Sequence, residues 1–260
     1  MTQEKLRLLA VLAHPDDESL GFGGIFAKYA DEGVETFLIT ATRGEYGWFG
    51  EPEDFPGEET LGKMREAELK QAAEILGIRE VIILDYVDGH LDQVDPNEII
   101  DSIAHHIRRI KPHVVITFDP YGAYGHPDHI AICQFTTAAI VQAANNKIDD
   151  DYAPHQVQKL YYRVDTLTEL SAYEEVFGEL SMTVDGYKRQ SKGWDAWAIT
   201  TRIETASYWD TIWRAVTCHQ TQIINIQADK PVWESEGYYR VFSLVNGGRK
   251  TEKHLFEGIN

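Results

Sequence analysis

Cysteine is scarce in this chain: 260 residues hold two, Cys133 and Cys218. They stand at no metal-ligand or redox spacing, which excludes a disulfide framework, a thiolate zinc finger and a Cys-x-x-Cys centre. Each lies in an apolar, helix-patterned stretch, where a small buried side chain is expected. Positive charge is scarce too, with 24 Lys and Arg against 42 Asp and Glu, a formal net charge of −18. A body that negative repels phosphate backbones and anionic lipid, so nucleic acid and membrane are not expected partners. A highly anionic substrate is disfavoured for the same reason. No apolar run approaches the ~20 residues needed to cross a bilayer. The run at 8–13, behind Lys5 and Arg7, is too short for a signal-peptide core and is broken by His14-Pro15-Asp16-Asp17. A cytoplasmic protein is expected. Linkers rich in Pro, Gly or Ser, internal repeats and low-complexity segments are also missing.

The hydrophobic fraction, 43%, is enough for a sizeable core. Residues 6–13 are almost wholly apolar, as in a strand buried on both faces of a parallel sheet. Helix and strand patterns then alternate. Helices are predicted at 21–30, 61–76, 97–110 and 128–145, and strands at 34–41, 81–84 and 113–119. The acidic, Gly- and Pro-containing stretch 43–60 is too long for a simple connector. This order predicts an α/β fold: a Rossmann-like, mostly parallel sheet with helices on both faces. Beyond residue 147 the alternation loosens, with strands at 160–164, 198–203 and 239–245 and a helix at 206–218. The expected organisation is a catalytic core at 1–150 and, at 151–260, a smaller C-terminal α/β lobe packed on the core and roofing the site.

Two segments carry the chemistry. Ala13-His14-Pro15-Asp16-Asp17-Glu18 follows the first strand, and Gly125-His126-Pro127-Asp128-His129 follows the strand ending near Asp119. Sites in open parallel sheets form at such carboxyl ends. A single His-Pro-Asp is ordinarily a turn with an Asp helix cap. Two such clusters at one end of a sheet would crowd polar groups together with no compensating cation, which is costly. Catalytic zinc takes three protein ligands and keeps one position for water. His14, Asp17 and His129 supply such a set, leaving Asp16 and His126 as general base and electrostatic partner. Two His and one carboxylate also form the facial triad of non-haem iron oxygenases. A non-catalytic sugar-binding module that keeps the metal is the third reading, though binding alone requires neither Asp16 nor His126.

The two segments together, with Asp119-Pro120-Tyr121-Gly122-Ala123-Tyr124 leading into the second, resemble the LmbE/PIG-L superfamily of zinc-dependent N-acetylglucosaminyl deacetylases. The mycothiol- and bacillithiol-pathway deacetylases belong to it. The resemblance covers roughly residues 6–145; farther on only Thr200-Thr201 and His219-Gln220-Thr221-Gln222 match. It implies Zn2+ (or Fe2+ or another divalent ion) on His14, Asp17 and His129, with Asp16 as general base. It also implies oxyanion stabilisation by His126 assisted by Tyr124, and a grip on sugar hydroxyls by Arg65 and Asp88. Asp128 is either a partner of a ligand imidazole or a helix cap. The implied reaction is hydrolysis of the N-acetyl amide of a small amino-sugar conjugate, with an amidase acting on a thiol-conjugated amino-sugar amide as the alternative. The aromatic segment 194–239 is expected to wall the pocket, and loop 48–59 is a candidate lid. Acyl group, aglycone, native metal and homo-oligomeric state stay open at this level.

Overall fold

The six residues Arg7–Leu12 form strand β1, and all but Arg7 are buried. In the computed structural model, which describes residues 5–147, 151–222, 234–245 and 251–259, this strand lies inside a seven-stranded sheet, between the strands Glu35–Thr42 and Val114–Phe118. The other strands are β2 (Glu35–Thr42), β3 (Glu80–Tyr86), β4 (Val114–Phe118), β5 (Lys159–Arg163), β8 (Thr201–Glu204) and β9 (Ser235–Ser243). Their order is β3-β2-β1-β4-β5-β9-β8. The first five are parallel, while β9 runs antiparallel to both β5 and β8. The chain moves outward from β1 to β3 and then returns to place β4 on the other side of β1. That reversal is the topological switch point, and the carboxyl ends of its two strands diverge into a crevice. Residues 13–18 leave β1 and residues 119–129 leave β4 at that crevice. Strands separated by a hundred residues thus deliver the two His-Pro-Asp segments to one place.

Helices cover the sheet in two groups. On one side α2 (Gly23–Asp31), α3 (Glu58–Leu76) and α8 (Trp209–Val216) pack on one another; α4 (Pro96–Ile110) packs on α6 (Pro127–Ala143). In α4 the buried Ile99, Ile103, Ile107 and Ile110 recur at helical spacing behind the Asp95 cap, whose carboxylate accepts the Asn97 amide at 2.8 Å. Helix α3 buries Leu61, Leu69, Ala72 and Leu76 and stops at Gly77, whose φ of 71° is the left-handed closing residue. It begins at Glu58, three residues before the expected start. The four-residue helices α1 (Asp17–Leu20) and α5 (Gly122–Gly125) are turns at the crevice.

Beyond residue 150 the chain contributes β5, β8 and β9 to the same sheet. It also forms α7 (Leu167–Phe177) and a separate hairpin, β6 (Ser181–Val184) with β7 (Tyr187–Gln190). Neither α7 nor the hairpin is among the elements expected from periodicity. Both had local signals: a complete Thr166–Glu169 capping box, and Asp185-Gly186 at φ 51° and 78°, the two-residue turn that suits the twist of paired strands. Of the cysteines, Cys133 is buried in α6, but Cys218 lies past the end of α8 and is only half-buried, contrary to expectation. Among the described residues no helix is long and apolar enough to cross a membrane.

Candidate active site

The turn after β1 is tied to itself. Asp17 Oδ2 accepts the amides of His14 at 2.8 Å and Ala13 at 3.1 Å, which curls residues 13–17 tightly enough to aim both side chains inward. Asp16 takes φ 119°, a strained backbone for a residue with a Cβ. Arg65 of α3 holds it there, donating to Pro15 O at 2.5 Å, Gly44 O at 2.8 Å and Asp16 Oδ2 at 3.2 Å. On the β4 side, His126 caps α6 by accepting the Asp128 amide on Nδ1 at 3.1 Å. His129 follows one turn in and stacks flat on Phe118 at 3.9 Å between ring centres.

Three donor groups face one another. His14 Nδ1 lies 3.1 Å from His129 Nε2, which lies 3.4 Å from Asp17 Oδ1, while His14 Nδ1 and Asp17 Oδ2 are 3.8 Å apart. The far nitrogen of His14, Nε2, is 3.1 Å from both Asp88 Oδ1 and Asp128 Oδ2. An imidazole that gives one N–H to carboxylates presents the other nitrogen as a ligand of fixed tautomer. The charge balance calls for a cation at the convergence. Burial pushes Asp17 up to about 7 and holds His129 well below the usual imidazole range, so its lone pair is free. Burial alone would lower His14, but Asp128, Asp88 and Asp17 hold it well above its usual range, a positive charge lodged among carboxylates. A divalent ion bound by Asp17 and two neutral imidazoles satisfies all three groups.

Among the described residues two other groupings share His14: one with His126 and His129, one with Asp88 and Asp128. In the first, the cap assigns the proton of neutral His126 to Nε2, the nitrogen a metal would need bare. In the second, Asp128 accepts the Gly89 amide at 2.7 Å and the Leu91 amide at 3.0 Å, and Asp88 accepts that of Tyr46 at 3.1 Å. Asp128 accepts a backbone N–H on each oxygen and Asp88 on Oδ2, and each turns one oxygen to His14 Nε2.

The remaining expected residues stand around this centre. Burial, followed by the charge of His14, lowers His126 to about 4, so at neutral pH it is an uncharged Nε2–H donor. Tyr124 lies edge-on to both His126 and His129, at 5.7 and 5.4 Å. Burial, then the charges of Asp17 and Asp16, keep its phenol protonated. Asp16 is raised by burial against the pull of Arg65 and His219, which makes it a better proton acceptor than an exposed aspartate. Arg65 and Asp88 line the same cavity of about 730 Å³, but their polar atoms are already turned toward the Asp16 turn and His14. Phe49, Tyr173, Leu180 and Trp194 also line it. Within segment 194–239, Trp194 and Gln222 reach the cavity. Trp209 is instead buried with α8, Trp197 is 85% exposed, and Trp233 lies outside the described residues.

One group was underweighted by sequence reasoning. His219 Nε2 meets Glu18 Oε1 at 2.7 Å, and Thr221 gives its amide (3.0 Å) and hydroxyl (2.7 Å) to Glu68. The match at 219–222 therefore marks where the tail is anchored to both the turn after β1 and α3.

Residues 9–140 match the family model described as PIG-L, GlcNAc-PI de-N-acetylase. The chain is 34% identical to a 1D-myo-inositol 2-acetamido-2-deoxy-alpha-D-glucopyranoside deacetylase of Rhodococcus jostii, over 84% of this chain and 82% of that one. It is 30% identical to a mycothiol S-conjugate amidase of Streptomyces coelicolor, over 98% of both. Its fold is similar to that of the conserved protein TT1542 from Thermus thermophilus, with TM-score 0.66 and 24% identity over 93% of this chain and 97% of that one. The chain belongs to the PIG-L family of metal-dependent N-deacetylases, hydrolases of carbon–nitrogen bonds.

Proposed function

We propose that this enzyme removes the acetyl group from the amino nitrogen of a small N-acetylglucosamine conjugate, of which the inositol-linked sugar named for the Rhodococcus relative is the leading candidate. The observation that carries the reading is the convergence of His14 Nδ1, Asp17 and His129 Nε2 beside an unliganded Asp16 and a protonated His126 Nε2 in one cavity. His14, Asp17 and His129 would hold Zn2+, or Fe2+ in its place, and the bound ion would lower the pKa of water toward ~7 and polarise the amide carbonyl. Asp16 takes the proton of the attacking water. His126 Nε2–H, with Tyr124 beside it, donates to the oxygen as negative charge develops there. Asp16 then returns the proton to the nitrogen as the C–N bond breaks, leaving a free amine and acetate. Arg65 and Asp88 hold Asp16 and His14 in place, and the sugar hydroxyls meet them at the cavity wall. The oxygenase and sugar-binding readings give way to membership of a hydrolase family.

An amidase acting on a thiol-conjugated amino-sugar amide is the second reading. The cavity favours it to this extent: 730 Å³ with Leu170, Tyr173 and Trp194 on its wall accommodates more than a monosaccharide bearing acetyl. The zinc-loaded protein is tested against N-acetylglucosamine linked to inositol, to malate and to an S-conjugated thiol, and against chitooligosaccharides, reading free amine. The inositol conjugate is expected to give the highest kcat/KM. Amine released from the S-conjugate amide alone would establish the amidase, and no amine from any acetylated sugar overturns the deacetylase reading.

A further inference from the structure

The turn between β4 and α6 is the most contorted backbone of the site, and of its own residues Asp119 braces it while the other braces come from distant parts of the chain. Gly122 (φ 67°), Ala123 (φ 61°, ψ −69°) and Gly125 (φ 85°) follow one another around Tyr124. Ala123 carries a steric penalty in that region that the glycines do not. Such a turn persists only when its surroundings over-determine it.

Three contacts do this. Asp119, buried at the end of β4, accepts the Ala123 amide on Oδ1 at 3.0 Å. Its Oδ2 accepts Trp194 Nε1–H at 2.7 Å, from a residue 75 positions later. Arg189 of β7 donates to Gly125 O at 2.9 Å, and its stem lies where a Cβ on Gly125 would sit, 3.0 Å from Arg189 Cβ. Trp194 is in turn packed on Tyr239 of β9, 5.3 Å between ring centres. Every one of these braces except Asp119 comes from the chain beyond residue 150.

We propose that Asp119, Trp194 and Arg189 are positioning residues that fix the turn carrying Tyr124 and His126, so that the C-terminal half sets the geometry of oxyanion stabilisation as well as lining the cavity. The inference rests on the reading of His126 and Tyr124 given above. A donor must sit within hydrogen-bond distance of where the oxyanion forms, and a displacement of the order of 1 Å costs up to ~100-fold. His126 is the extended cap residue ahead of α6 and Tyr124 lies inside the turn, so neither is placed by regular secondary structure. Asp119 gives one oxygen to the turn and the other to Trp194. The ring that touches whatever fills the cavity is thereby bonded to the residue that shapes the turn.

The test uses the full-length zinc-loaded enzyme and the acetylated substrate it turns over best. Trp194→Phe keeps an aromatic wall and removes only the N–H. It is expected to lower kcat on the order of 10-fold with KM within about 2-fold and metal content unchanged. Asp119→Asn should lose at least as much, and the double variant no more than Asp119→Asn alone, since both act through one bond. A rise in KM with kcat intact would make Trp194 a wall and nothing else, and losses that multiply in the double variant would separate it from the turn. Arg189→Met, on the hairpin, covers the case in which Trp194→Phe fails to fold, and should move kcat in the same direction. A second readout does not need turnover: the 15N signals of His126, identified by their absence in His126→Gln, should shift or broaden in Trp194→Phe. Unchanged signals overturn the positioning role even if activity falls. An inactive wild-type protein would sink the deacetylase reading, while the His126 signals would still decide whether Trp194 holds the turn.

Discussion

His219 Nε2 lies 2.7 Å from Glu18 Oε1, and both side chains are completely buried. Burial alone would raise Glu18 and lower His219; instead each holds the other charged, Glu18 below and His219 above its ordinary value. Glu18 Oε2 also accepts the Asp16 amide at 3.0 Å. The pair therefore fixes the strained Asp16 backbone at its amide, while Arg65 holds the Pro15 carbonyl before it and the Asp16 carboxylate. His219→Ala leaves a buried carboxylate unpaired and is expected to destabilise the protein by ~3–5 kcal/mol. In the surviving folded fraction kcat should fall on the order of 10-fold, because Asp16 loses its placement. Denaturant unfolding and kcat per folded, metal-loaded molecule measure the two effects; an unchanged unfolding midpoint would dissolve the pair.

The proposed division of labour between adjacent aspartates is separable. Asp16→Ala should keep the metal and lower kcat by at least roughly 100-fold, the scale of a general base. Asp17→Ala and His129→Ala should each lose the metal at concentrations that saturate the wild type. Chelator should abolish activity, and added Zn2+ should restore it to wild type and Asp17→Asn unequally. Metal analysis after dialysis checks the assignment. Metal lost from Asp16→Ala but kept by Asp17→Ala would exchange the two roles.

Loop 48–59 touches the cavity through Phe49, which is otherwise 70% exposed, and Trp48 rests against Phe55 at 6.2 Å. We propose that it reads the group attached to the sugar. Deleting most of it should leave metal content intact and lower kcat/KM for the best conjugate several-fold more than for free N-acetylglucosamine. If both values drop by one factor, the loop has no part in selectivity.

His106 of α4 gives the stability a pH dependence of its own. Burial, followed by Arg109 and His105, lowers it to about 4. An unfolded imidazole titrates near ~6.5. Between those values the unfolded chain binds more protons at this position, so stability present above about 6.5 is lost as the pH falls toward about 4. Unfolding midpoints at pH 7.5 and 5.0 are expected to differ less in His106→Gln than in wild type. Equal differences in the two proteins would show that His106 does not contribute.

Much of this protein is legible in its sequence because the physics involved is local. The apolar run at 6–13 announces a central strand, Gly77 ends α3, and isoleucines at helical spacing draw α4. His14, Asp16, Asp17, His126 and His129 stand out because two such clusters at one end of a sheet crowd polar groups that need a compensating cation. Their convergence is decided elsewhere. It requires β4 to insert beside β1, and that choice depends on burying two apolar strands against each other across a hundred residues. The roles of Asp88 and Asp128 as partners of His14 Nε2, and of Arg65 as the brace of Asp16, are invisible in spacing because each is a contact between distant turns. The same holds for Trp194 on Asp119 and His219 on Glu18: a hydrogen bond between residues 75 or 201 positions apart leaves no periodicity to read. Short-range order follows from backbone and side-chain preferences that each residue carries with it. The site follows from which buried polar groups end up facing one another, and only the packed chain determines that.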